Sequence, residues 1–333
     1  MDVNRKLAAL IPVAALAVAL WSVSLPYFAE GPGPARDVEP LIRVTGHDQF
    51  PSRGHLILTS VGFAPVNLFQ ALGAWLDPTR NVVSEDLLVP PGETSQEADR
   101  RSVSQMDQSK IDAAVVVLSR LAGYPKSHGT GLLVESVGPE CPADGKLFPG
   151  DLLLTANGQP VSDSDALGRV IRSSPGGRPV RFQVKVNGRT FPVSIVPRRC
   201  EGSGRRLVGI TTVPSFPFAI SISSGDIGGP SAGLMWALGL YDLLTPGDLT
   251  AGRTVAGTGQ IEPDGRIDPI GGVQLKIAAA KAAGATVFLL PRGNLSEARE
   301  VAGSLPLVPV ARFQDALAYL QRDASGTGKS ARR

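Results

Sequence analysis

The sequence predicts an α+β protein: a mixed sheet with packed helices, a small β-rich module, and one N-terminal transmembrane helix ahead of both. Three observations predict it. An uncharged stretch at residues 7–28 follows Arg5 and Lys6, glycine-punctuated apolar runs fill residues 125–199, and helical periodicity alternates with strand-like runs on either side of that module. The 333 residues suffice for two ordinary domains, and 43% hydrophobic against 19% charged residues describe a globular chain. The 38 Gly and 28 Pro imply many turns and short elements. Net charge is only +3, from 33 basic and 30 acidic residues, and no long basic run interleaves with aromatics to track a phosphate backbone. Nucleic acid is therefore not an expected partner.

The 22 uncharged residues from 7 to 28 would measure roughly 33 Å as a helix, enough to cross a bilayer. Trp21, Tyr27 and Phe28 cluster at the far end, where amphipathic aromatics favour the interface, and the flanking charge turns acidic at Glu30 and Asp37. The basic end, residues 1–6, is expected in the cytoplasm. Two other readings stand beside this one. A cleavable signal peptide would use the small residues Ser22-Val23-Ser24, although the apolar run is long for one, and a buried core helix would use the run for packing. Anchor and signal peptide alike place residues 31–333 outside the cytoplasm. Residues 29–40, which include EGPGPARDVEP, read as an extended tether. Cys141 and Cys200 are the two cysteines; an oxidising compartment would permit them to pair, and spacing leaves paired and unpaired states both open. Neither has a histidine nearby in sequence, and His47, His55 and His128 show no metal-ligand spacing, so no metal site is expected.

Residues 41–124 contain a strand-like GHLILTSVG at 54–62, a short helix at 71–76, a polar connection through Thr94, and an amphipathic helix at 102–121. In residues 125–199 the runs GTGLLVESV, PADGKLFPGDLLLTANGQPV, a helical SDALGRVIRSS and RPVRFQVKVNGRTFPVSIVP follow one another. Asn187-Gly188, between two alternating runs, signals a hairpin, because both central residues of a tight primed turn need positive φ. These segments resemble a PDZ domain of the bacterial protease type. The resemblance implies that a peptide adds as an extra strand beside the helix, its terminal carboxylate held by backbone N–H groups of a loop. By position that loop would be Gly129, Thr130, Gly131, Leu132 and Leu133, although the common Gly-Leu-Gly-Phe form is absent. A β-module that only spaces or packs is the alternative.

Residues 200–322 hold two glycine-framed sites. Gly228-Gly229-Pro230-Ser231-Ala232-Gly233 leads from a polar turn into an apolar helix at 234–244. Small neighbours leave the Ser231 hydroxyl accessible, and amides near a helix start can stabilise developing negative charge; the same pattern also suits a serine that merely caps a helix. Gly271-Gly272 opens an alanine-rich helix at 273–283, closed by Gly284, with Lys276 in its first turn. The helix dipole disfavours a cation there, and apolar packing by Ile277 and Ala278 would desolvate the amine; both lower its pKa. An exposed lysine is neutral in about one molecule in 10³ at pH 7, so a working base needs a drop of about 2–3 units, or about 3–4 kcal/mol. Lys281, about 140° further round the helix, reads as a solvated surface lysine.

Together the two sites resemble the proteolytic domain of Lon proteases, in which a serine within Gly-Pro-Ser-Ala-Gly pairs with a lysine shortly after Gly-Gly. The likeness continues through GTGQIEPDGRIDPIGG and ATVFLLP to about Leu320, with serine and lysine 45 positions apart. It implies a Lon-type Ser-Lys dyad of Ser231 and Lys276, with Thr258 orienting the amine and Gly229, Pro230 and Ala232 shaping the nucleophile turn. Two departures stand out: Gly228 where the commonest form has Asp, and Gln260 where it has Glu. Because Lon-type domains begin with elements like those of 41–124, the PDZ-like module reads as an insertion entering near Pro125 and leaving near Arg199. Residues 323–333 read as a flexible tail. Residues 325–330 echo a phosphate loop, yet Asp323 occupies the position of its first glycine, so no nucleotide is expected.

The expectation is a membrane-anchored serine endopeptidase of the bacterial cell membrane, independent of ATP, with its catalytic portion outside the cytoplasm and no cofactor. Its partners would be protein or peptide substrates in flexible or unfolded segments, selected partly by the PDZ-like module. The Lon resemblance also implies a hexamer or other closed ring of copies. No region resembles the ATP-driven unfolding domain that Lon enzymes commonly carry. Readings from other classes are a noncatalytic envelope scaffold that binds peptides and a small-molecule amidase or esterase.

Overall fold

Strand β1 (Ser24–Asp37) starts inside the stretch expected to span a bilayer and takes in most of the expected tether. The computed structural model describes residues 18, 20–77, 79–200 and 203–330. Most of the expected span, residues 7–17, lies outside the described residues. Among the described residues no helix is long and apolar enough to cross a membrane. The correction concerns residues 24–40. Strand β1 pairs antiparallel with β2 (His55–Asn67) on one side and, beyond helix α1 (Leu68–Leu76), with β3 (Asn81–Ser84) on the other, while Val38 is fully buried. Proline and glycine made this segment read as a tether. Pairing with β3 stops at Glu30, however, so Pro32 and Pro34, which lack an N–H, fall where that edge is free and where the register against β2 shifts.

Helix α2 (Ser95–Leu121) starts earlier than the expected 102 because Thr94 and Glu97 form a capping box: Glu97 N donates to Thr94 Oγ1 at 3.3 Å and Thr94 N to Glu97 Oε2 at 2.8 Å. The module follows, with β4 (Leu132–Val137), β5 (Leu152–Ala156), α3 (Ser164–Ser173), β6 (Val180–Val186), β7 (Arg189–Ile195) and β8 (Ile210–Pro214). Its sheet runs β8-β4-β5-β6-β7 around a separate core that includes Leu132, Leu153, Phe182 and Ile195. Asn187 and Gly188, at φ +49° and +80°, turn the β6–β7 hairpin. The boundary expected at 199 is corrected: β8 pairs with β4 from Ile210 to Pro214, so the sheet is incomplete without residues 210–214. ITTVP is short and half-buried, which leaves a weak pattern. A disulfide joins Cys141 to Cys200 across 59 residues.

The main elements after the module are α4 (Gly233–Leu244), β9 (Thr254–Gly257), α5 (Val273–Ala282), β10 (Val287–Pro291), α6 (Leu295–Ala302), β11 (Leu307–Val310) and α7 (Phe313–Ser330). Helix α7 continues to Ser330 where a tail was expected from 323. The main sheet runs β11-β10-β9-β2-β1-β3, parallel from β11 to β2 and antiparallel beyond. Strand β9 lies beside β2, from Thr254↔His55 to Gly257↔Leu58, so strands from both sides of the module share one sheet. Side chains alternate across it. Leu56, Leu58, Val255 and Leu289 join the core with α2, α4 and α7, while Ile57, Ala256, Phe288 and Leu290 pack with α5 and α6. Helix α4 is buried on every side, with the Trp236 indole N–H directed at Met106 Sδ at 3.4 Å.

The disulfide closes a long loop within the module and should restrict its unfolded state by about 4 kcal/mol on chain-entropy grounds. Replacing Cys141 and Cys200 together by Ser is expected to lower the module's denaturation midpoint by an amount equivalent to about 2–4 kcal/mol, read by urea unfolding with and without reductant. Identical midpoints would show that the bond adds nothing.

Candidate active site

Ser231 lies in the turn ahead of α4, and this turn is held from two directions. On one side stand Ser102 and Ser109, two turns apart on α2. Gly229 N donates to the Ser102 carbonyl at 2.8 Å, and Ser109 Oγ donates to the Pro230 carbonyl at 3.0 Å. On the other side the Ser231 carbonyl accepts from Gly259 N at 2.8 Å and from Thr258 Oγ1 at 3.0 Å. Thr258 follows β9, is fully buried, and gives its own N–H to the Leu289 carbonyl of β10. The position of the hydroxyl is thus referred to both the helix layer and the sheet.

Lys276 reaches the same place from α5. The helix starts at Gly272, whose φ of +66° suits glycine and where a Cβ would come within 2.7 Å of Val61 on β2. Lys276 Nζ donates to Ser231 Oγ at 2.6 Å and to Thr258 Oγ1 at 3.1 Å. Ser231 is half-buried, whereas Lys276 is only 3% exposed. Both partners are hydroxyls, and no carboxylate pairs with the lysine among the described residues. Burial pushes its pKa down to about 8. Roughly one such lysine in ten is neutral at pH 7, a hundredfold gain or so over an exposed one.

Ser231, Lys276 and Thr258 therefore meet, with Gly229, Pro230 and Ala232 in the intervening turn. Sequence reading missed Ser102, Ser109 and Gly259; the two serines, seven apart, fall on one face of α2. The two departures also have local causes. A side chain at 228 would strike Ser102 Oγ, so α2 leaves no room for the usual carboxylate. Gln260 Nε2 donates to Glu262 Oε1 at 3.0 Å, where a Glu would set two carboxylates together. Lys281 is exposed and donates to the Val301 carbonyl, away from the dyad.

The expected peptide-binding loop is corrected. Leu132 and Leu133 open β4, an interior strand whose edges are already taken by β8 and β5. Gly129 N is spent on the Ser215 carbonyl at 2.9 Å, and the Gly131 carbonyl accepts from Ser215 N at 3.1 Å, so Gly129, Thr130 and Gly131 have no open edge to offer either. Of the sheet's outer strands, β8 is the one beside α3, and between them runs a groove of about 350 Å³. Leu167 and Ile171 line it from α3, Gly209 to Thr212 from the β8 side, and Arg172 and Arg206 add positive charge. Gly209, at φ +85°, abuts the disulfide. The chain order misled: the strand with a free edge comes last in the module.

Residues 220–320 match the Lon protease (S16) C-terminal proteolytic domain, and residues 133–186 match the PDZ domain. Among characterised proteins the chain is similar to Lon protease of Roseiflexus castenholzii, 45% identical over 73 residues, or 22% of this chain and 9% of that one. It is also similar to Lon protease 2 of Bacillus subtilis, 36% identical over 103 residues, or 31% and 17% of the two chains. The match thus spans 9–17% of the length of these relatives. Among solved structures it is similar to the PDZ domain of the SdrC-like protein from Listeria monocytogenes, with 27% identity, 26% of this chain and 90% of that chain covered, and a TM-score of 0.24. The chain carries a Lon-type serine-peptidase domain and a PDZ domain.

Gly272→Ala tests whether the α5 start is set by its left-handed residue. The substitution is expected to cost about 1–3 kcal/mol, from the positive φ and the contact with Val61, and to lower the thermal midpoint of the full chain. An unchanged midpoint would show that another residue is tolerated there.

Proposed function

We propose that this chain is a serine endopeptidase that works without nucleotide hydrolysis, with Ser231 as nucleophile and Lys276 as general base. The observation that carries this reading is the 2.6 Å contact between a half-buried hydroxyl and a buried lysine amine whose partners among the described residues are hydroxyls. The neutral Lys276 amine takes the Ser231 proton as Oγ attacks the scissile carbonyl carbon. The amides of Ser231 and Ala232 are not spent on backbone carbonyls among the described residues, which leaves them available to the oxyanion. The Lys276 ammonium then protonates the departing amine, and an acyl ester remains on Ser231. Water attacks the ester as it gives a proton to the Lys276 amine, and the Lys276 ammonium returns that proton to Ser231 Oγ as the C–O bond breaks and the acid leaves. Thr258 accepts from Lys276 throughout and keeps the amine over the hydroxyl.

Substrates on this reading are flexible or unfolded protein segments. Peptides enter the groove between α3 and β8 by adding to the free edge of β8, and Arg172 and Arg206 suit an acidic or carboxylate-terminated segment. Membrane attachment uses residues 7–23, a run of 17 ahead of β1 and roughly 26 Å long if helical. The Cys141–Cys200 disulfide supports an oxidising compartment and hence a catalytic portion outside the cytoplasm. The Lon-type domain supports assembly into a closed ring of copies.

Ser231→Ala and Lys276→Ala should each reduce casein cleavage by about 10³-fold or more while peptide binding by the PDZ domain persists. Unchanged cleavage by Ser231→Ala would reject the assignment and leave the scaffold reading. The pH dependence has a definite sign. Below about 8 the ammonium form cannot accept a proton, so kcat/KM should rise with pH and level off above that value. A flat profile from acid to alkaline pH would contradict a lysine base. Ile171→Asp, in the groove wall, should weaken peptide binding roughly tenfold and leave cleavage of a short unstructured peptide unchanged, as measured by fluorescence polarisation and peptidase assay. Equal affinity would place the peptide elsewhere.

A further inference from the structure

Helix α1 turns its large apolar residues away from the protein. It packs on the sheet through Ala71 and Ala74, which meet Ala29, Val66 and Val82. Leu68 (37% exposed), Phe69 (41%), Leu72 (50%), Trp75 (77%) and Leu76 (75%) point outward instead. At 100° per residue these five fill one continuous arc of about 120°, and the helix sequence LFQALGAWL carries no charge. Surface helices ordinarily direct such a stripe into the core, and a contiguous exposed stripe marks an interaction face.

That face is continuous with the chain's approach to β1. Trp21, also exposed, has its ring centroid 6.0 Å from that of Phe69. Asn67, whose side chain caps α1 by accepting from Gln70 N at 3.0 Å, also donates through Nδ2 to the Trp21 carbonyl at 3.0 Å. One residue therefore starts the helix and ties it to the segment that leads out of the N-terminal apolar run. We infer that the outward face of α1 is a lipid-docking surface, seated in the interfacial layer of the bilayer that receives that run, with Trp21 and Trp75 at headgroup level. The inference rests on the membrane attachment proposed above. An uncharged, aromatic-rich arc beside an apolar membrane segment fits lipid better than it fits water. It also fixes the reach of the peptidase. Strand β2 passes the layer of the dyad at Thr59, whose hydroxyl donates to the Gly257 carbonyl, and reaches Asn67, the cap of α1, eight residues later. That is roughly 26 Å of strand, so the dyad works close to the lipid surface.

The full chain has three tryptophans, of which Trp236 is fully buried. A Trp21→Phe chain is reconstituted in vesicles of phosphatidylcholine and phosphatidylglycerol whose acyl chains are brominated near the headgroup end. Trp75 is expected to be quenched, with loss of about half the tryptophan emission, and a Trp21→Phe/Trp75→Phe chain should lose almost none. Flotation with the vesicles reports attachment separately. A chain that floats while Trp75 stays unquenched by bromolipid keeps its anchor and overturns the inference. In that case quenching by aqueous acrylamide would show a bare face, and protection from both quenchers would show a face covered by protein, including a second copy. A chain that neither floats nor shows bromolipid quenching overturns both readings.

Discussion

Taking a lysine out of water to meet hydroxyls, with no carboxylate beside it among the described residues, is the constraint on which the rest of this structure turns. Lowering the Lys276 pKa to about 8 corresponds to about 3 kcal/mol held against the charged form. Packing of α5 on the sheet offsets that cost: Val273, Ile277 and Ala280 bury with Phe288 and Leu290, and the helix cannot slide without opening this layer. Thr258 sits at the junction. Its hydroxyl accepts from Lys276 and donates to the Ser231 carbonyl, so one side chain at the end of β9 sets the distance between the Lys276 amine and the Ser231 hydroxyl.

The dyad depends on residues far upstream. Helix α2 and strand β2 precede the module, yet α2 holds the Ser231 turn through Ser102 and Ser109, and β2 supplies the wall at Val61 that requires glycine at 272. The module leaves and re-enters the same place: the Tyr124 hydroxyl, just before it, donates to the Pro214 carbonyl, at its last strand, at 2.6 Å. Beneath this junction lies a buried acid contact. Burial first, and then the charges of Glu135 and Glu262, push Asp112 up to about 8. Asp112 belongs to α2 and Glu135 to β4, so buried acids of the peptidase layer and of the PDZ sheet lie near one another. Glu262 in turn holds Gln260, two residues beyond Thr258.

Local chemistry was legible in the sequence wherever a short run of residues specified it. The glycines around Ser231 and before Lys276, the Asn187-Gly188 turn and the apolar runs of β9 and β10 each carry their signal within a few residues. Long-range pairing was not legible in the same way. Residues 24–40 have the composition of a tether, and only the geometry of a partly free edge explains how Pro32 and Pro34 fit in β1. The loop expected to hold a peptide lacks an open edge for a related reason: GTGLLVESV reads as a first strand, but ITTVP pairs on its outside and takes the edge. Capping at Thr94 was readable from TSQE and shows how a polar stretch can conceal the first turns of a helix.

The most direct test of this account is the titration of Lys276 itself, followed through the side-chain ¹³Cε and ¹⁵Nζ resonances of lysine-labelled protein and assigned with a Lys276→Arg variant. The account predicts one lysine losing its proton with a midpoint near 8, while the exposed lysines titrate in their ordinary range. A Lys276 signal that stays protonated until the other lysines titrate would contradict it, because the amine beside Ser231 would then be a cation under every condition in which the protein works.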